Sequence, residues 1–113
     1  MVTRLEAPIT GHCVHIAIYK WKAEAPIAEI EQAIDSLRGM ADDVPGIRLI
    51  TWGRNESKWA EGFTHAILIV GDDAAAIAQY REHPLHEPVA DFIDKWEGFG
   101  VGVDFDKQPG ADV

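Results

Sequence analysis

Three features of this chain predict an α+β fold, a split β-α-β arrangement with one four-stranded antiparallel sheet and its helices on a single face. Strand-like and helix-like segments follow one another in the order β-α-β-β-α-(α)-β. The strand segments are apolar on both faces, whereas the helical segments are apolar along one stripe. The last strand alternates large apolar residues with two glycines and an acid.

The first strand spans residues 15–21. One face carries His15, Ala17, Tyr19 and Trp21, the other Val14, Ile16, Ile18 and Lys20, so both sides need burial. Pro26 then opens a helix whose Ile27, Ile30, Ile34, Leu37 and Ala41 keep helical spacing, with Glu29, Glu31, Asp35 and Arg38 mostly opposite. Val44, Pro45 and Gly46 end it in a turn. Residues 47–52 read as the second strand, followed by a polar connection through Gly62. The third strand, 63–70, sets His65, Ile67 and Ile69 against Ala66, Leu68 and Val70. Asp72 and Asp73 supply a turn and an N-cap for a helix over 74–82. A further helix over roughly 87–96 buries Val89, Phe92, Ile93 and Trp96.

The last strand, 99–105, places Phe99, Val101, Val103 and Phe105 on one face and Gly100, Gly102 and Asp104 on the other. Two same-face glycines mark either close packing of a helix on bare backbone or a cavity beside the acid. Residues 1–13 read as a leading arm, 14–106 as the single domain and 107–113 as a polar tail. The order of elements is that of the ferredoxin-like fold. One chain has no element left to cover the second sheet face, so a homodimer packed sheet against sheet is expected.

The net charge of −9 leaves no basic stripe for a nucleic-acid backbone or an anionic membrane. Cys13 is the only cysteine, which rules out an intramolecular disulfide. Neither a signal pattern nor a membrane-length apolar run is present, so a cytoplasmic location is the default expectation.

Chemistry concentrates in residues 80–89, where Tyr80, His83 and His86 fall within seven positions around Pro84. Pro84 pushes His83 toward an extended conformation, and Pro88 suits the first turn of the next helix. The corner thus presents His86. If the glycine face of the last strand looks toward the helices, Asp104 shares that space and can accept from one ring nitrogen of His86, fixing the tautomer of a general base. A Tyr80 hydroxyl nearby can donate to a carbonyl oxygen and stabilise an enolate. These parts suit proton abstraction beside a carbonyl with no cofactor. The same His86–Asp104 pair would serve equally as a structural hydrogen bond. An apolar small-molecule pocket is expected between helices and sheet, lined by Ala17, Ala33, Ile34, Leu37, Ile67, Tyr80, Gly100 and Gly102, with His15, Tyr19 and His65 on the same face. His15, His65, His86 and Asp104 match metal-ligand types, yet no close-spaced ligand motif accompanies them, and no metal is assigned.

His15 to Lys22, Trp52 to Asn55, Gly62-Phe63-Thr64-His65, Tyr80 with His83-Pro84 and His86, and Val103-Asp104-Phe105 together resemble the stress-responsive α/β-barrel (Dabb) family over residues 14–106. The resemblance implies a ferredoxin-like fold whose dimer forms a dimeric α/β barrel. It also implies, by analogy with a plant member that cyclises a polyketide through aldol condensation, His86 as base, Tyr80 as orienting hydroxyl, Asp104 as support and His15 as a pocket residue. This chain departs from that member at Ala33, Ile34, Leu37 and Val89, where its pocket has bulky aromatics, so the substrate is expected to differ. The function expected is cyclase, isomerase or lyase chemistry on an aromatic or polyketide-like carbonyl compound. The alternative is a non-catalytic dimeric stress-responsive or ligand-binding protein of the same fold.

Overall fold

In a computed structural model, which describes residues 13–107, the split β-α-β order is realised element by element. The elements are β1 (Cys13–Trp21), α1 (Ile27–Ser36), a 3-10 turn (Leu37–Asp42), β2 (Ile47–Arg54), β3 (His65–Gly71), α2 (Ala74–Glu82), α3 (His86–Trp96) and β4 (Glu97–Asp106). The strands form one antiparallel sheet in the order β2-β3-β1-β4. This is an α+β, ferredoxin-like fold. The expected arm and tail lie outside the described residues except for Cys13 and Lys107. Cys13 heads β1, opposite Gly71 and Asp106, so the strand begins before the expected boundary.

Strand alternation decides which side chains meet the helices. Ala17, Ile67 and Ile69 point into the layer between sheet and helices, and so do Ile30 and Ile34 from α1. Ile30, Ile34, Met40 and Ile69 are almost wholly buried, and each contributes roughly 1.5–3 kcal/mol relative to exposure. The sequence pattern predicts one helix running to Ala41. Instead the α-helix ends at Ser36 and tightens into the 3-10 turn, whose three-residue period brings Leu37 and Met40 inward together. Gly46 closes the following turn at φ +90°, and its carbonyl accepts from the Asp72 amide at 2.8 Å.

Asp73 caps α2 by accepting from the Ala76 amide at 2.9 Å. His83 is extended (φ −64°, ψ 139°) ahead of Pro84, and its Nδ1 accepts from the Leu85 amide at 3.0 Å. His83 Nε2 lies 3.3 Å from Asp43, tying the corner to the end of the 3-10 turn. The corner delivers His86 as the first residue of α3, and α3 runs directly into β4. Among the described residues no helix covers the far face of the sheet. Phe99, Val101, Val103 and Phe105 are 38–58% exposed there. Among the described residues no helix is long and apolar enough to cross a membrane.

Candidate active site

A cavity of about 190 Å³ lies between α2, α3 and the sheet, reached by His15, Tyr80, Arg81 and His86 and floored by Ala17, Leu37 and Ile67. A second, shallower space of about 240 Å³ adjoins it and shares His15, Ala17 and Tyr19, with Gly100 and Gly102 on its other side. A Cβ added at Gly102 would meet nothing within 4 Å, so this glycine borders open space and no helix packs against its backbone.

β1 and β4 pair with His15 opposite Asp104. That register settles the partner of the acid. His15 Nδ1 and Asp104 Oδ1 are 2.5 Å apart. The His15 hydrogen bond, with the charge of Arg81, holds the Asp104 carboxyl below the usual carboxylate range. An ionised carboxylate only accepts, so His15 Nδ1 carries the proton of this bond, and in the neutral ring the lone pair is on Nε2. The expected His86–Asp104 hydrogen bond is not formed: among the described residues Asp104 bonds His15 and, at 3.4–3.5 Å, Arg81 Nη2. Asp104 is also 59% exposed, so it stands at the rim and not deep in a chamber.

His86 follows the corner at the start of α3, its ring edge-on to Tyr80 with centroids 4.9 Å apart. Among the described residues neither of its ring nitrogens has a hydrogen-bond partner. Burial, then the nearby Arg81 charge, push its imidazole below the ordinary value of 6.5, which keeps it neutral at pH 7. Tyr80 is 3% exposed and lines the cavity, and its hydroxyl likewise has no protein partner among the described residues. Burial raises the phenol of Tyr80, and that of Tyr19 to about 12, so both remain donors throughout the physiological range.

His65 belongs elsewhere. It is 3% exposed, accepts at Nδ1 from the Trp21 indole at 3.0 Å, and donates from Nε2 to Glu31 at 2.7 Å. The Thr64 hydroxyl is 2.8 Å from the same Nδ1, and Trp52 stacks on the ring. Arg54 closes a two-pronged bond on Glu31 at 2.7 Å for each prong. These bonds, Arg54 first and His65 second, hold the Glu31 carboxyl at about 2. The expectation that His65 lines the same pocket is therefore corrected: it is a satisfied histidine behind a separate groove bordered by Lys20, Lys22 and Arg54. Ala33 and Ile34 also fall outside the cavity wall: Ile34 is fixed in the core, and Ala33 lies on the same α1 helix. Among the described residues no group of three or more His, Cys, Asp or Glu is arranged to hold a metal ion. Arg81 and Asp94, which the sequence reading passed over, both line the cavity. Arg81 was legible only through the register that brings Asp104 beside it.

Comparison with solved structures returns the same architecture. A hydroxynitrile lyase from Passiflora edulis superposes with a TM-score of 0.74 at 19% identity, covering 87% of this chain and 94% of that one. A dimeric ferredoxin-like protein of unknown function from Thermobifida fusca gives 0.72 at 22% identity, covering 87% and 93%. A cofactor-independent oxygenase from Streptomyces nogalater gives 0.68 at 16% identity, covering 83% and 90%. At these identities the likeness is one of fold. A search of curated proteins finds no match. The family model of the stress responsive A/B barrel domain matches residues 13–107, all of the described residues, and the protein belongs to that family.

Proposed function

We propose that the chain is a cofactor-independent acid–base enzyme acting next to the carbonyl of a small compound of roughly one ring, of the cyclase, isomerase or lyase type. The observation that carries this reading is the convergence, on one cavity, of His15 backed by Asp104, the His86 ring and the hydroxyl of buried Tyr80, the last two without a hydrogen-bond partner among the described residues. In this reading Asp104 holds His15 with its Nε2 lone pair available as base. Tyr80 donates to the substrate carbonyl oxygen as negative charge develops there. Neutral His86, next to Tyr80, offers its ring N–H as a second donor to the substrate oxygen. The base is thus His15 and not His86, because the carboxylate that strengthens a histidine bonds His15. The lyase from Passiflora edulis and the cofactor-independent oxygenase from Streptomyces nogalater have the same fold, which supports small-molecule chemistry here.

The working unit in this reading is a homodimer that buries the uncovered sheet face. It is supported by the exposed Phe99, Val101, Val103 and Phe105 row, and by the dimeric description of the Thermobifida fusca structure. The test is solvent-deuterium exchange, followed by proton NMR, beside the carbonyl of a panel of enolisable aryl ketones and keto acids. Wild type should accelerate exchange, and His15→Ala and Tyr80→Phe should each lower the rate by about 10²-fold or more. Binding without exchange above buffer would leave the non-catalytic ligand-binding reading in its place.

A further inference from the structure

We infer that the ligand of the cavity carries a carboxylate and that Arg81 is the residue that receives it; this rests on the small-molecule reading of the cavity. Arg81 is the only lysine or arginine lining that space among the described residues, in a chain of net charge −9. Two other arginines give an internal standard. Arg48 closes on Asp72 through Nε and Nη2 at 2.6 and 2.7 Å, and Arg54 closes on Glu31 through the same atoms at 2.7 Å each. Arg81 does not close in this way. It reaches Asp104 with Nη2 alone, at 3.4 and 3.5 Å, the long limit of a hydrogen bond.

Its remaining approach, Nη2 to His15 Nδ1 at 3.3 Å, brings two donors together, because Nδ1 gives its proton to Asp104. Asp104 has its short bond from His15 and exerts only a loose hold on the guanidinium. Nε–H and the Nη1 protons have no partner among the described residues. A planar guanidinium with one edge open matches a carboxylate in two-pronged geometry, which a hydroxyl or a neutral ester does not. The open guanidinium therefore receives the carboxylate of a keto acid, with the carbonyl near Tyr80 and the apolar body over Ala17 and Ile67. The space suits roughly a single ring, since an engineered cavity of about 150 Å³ holds benzene.

The test compares phenylpyruvate with its methyl ester, binding measured by calorimetry on the full chain. Wild type should bind the acid at least tenfold more tightly than the ester. Arg81→Gln should weaken the acid by about ten- to a hundredfold and leave the ester unchanged, and Arg81→Lys should recover part of the loss, as a charge without the fork. A structural role for Arg81 would weaken both probes equally, and that result overturns the proposal. Equal wild-type affinity for acid and ester overturns it as well, while the small-molecule reading stands. If neither probe binds wild type, both readings fall together.

Discussion

Glu31→Ala separates the structural histidine from the chemical ones. Glu31 accepts from the Nε2–H of His65, which is 3% exposed, and from Arg54, all at 2.7 Å. Depression of the carboxyl from 4.5 to about 2 sets an upper bound of about 3 kcal/mol on what its ionised form contributes. Arg54 is 66% exposed, so solvent screens its share, and about 2 kcal/mol is the working figure. Removing the carboxylate also strands a buried N–H, at about 1–3 kcal/mol. The two estimates overlap, and Glu31→Ala should cost about 2–4 kcal/mol at pH 7.

Glu31→Gln keeps an acceptor for His65 and should cost about 1–2 kcal/mol. The sign with pH is fixed: a carboxyl lowered by folding stabilises fully above about 4.5 and loses that contribution as pH falls through about 2. The gap between wild type and Glu31→Gln should therefore close on acidification through that window. Urea unfolding followed by tryptophan fluorescence reads it directly, because Trp21 and Trp52 flank His65, with protein concentration held fixed across pH. A Glu31→Ala variant within 0.5 kcal/mol of wild type at pH 7, taken roughly as the noise of surface substitutions, would refute the reasoning. So would a Glu31→Gln gap that does not change between neutral and acid pH.

Two further outcomes follow from the backbone and from the uncovered sheet face. Gly46→Ala places a Cβ 2.9 Å from that of Ala76 at φ +90°, and thermal melts should show a loss of about 1–3 kcal/mol. Val103→Asp, on the exposed side of β4, should convert a dimer to folded monomers in sedimentation velocity at micromolar concentration; an unchanged dimer would remove that face from the interface.

Local pattern was enough to read the order of elements, the apolar stripe of α1, the Asp73 cap and the two unlike faces of β4, because each depends on neighbours a few residues apart. His86 and Tyr80 were equally legible at the Pro84 corner, where proline limits the backbone whatever packs around it. The partners were not. Whether Asp104 meets His86 or His15 is decided by the register between β1 and β4, strands separated by most of the chain, and a shift of one residue would turn the acid to the other face. Pairing of β1 with β3 and packing of α1 likewise set His65 against Trp21 and Glu31, and packing of α2 brings Arg81 to the rim of the cavity. Periodicity fixes which way a side chain points, and only the packed sheet and helices fix what it finds there.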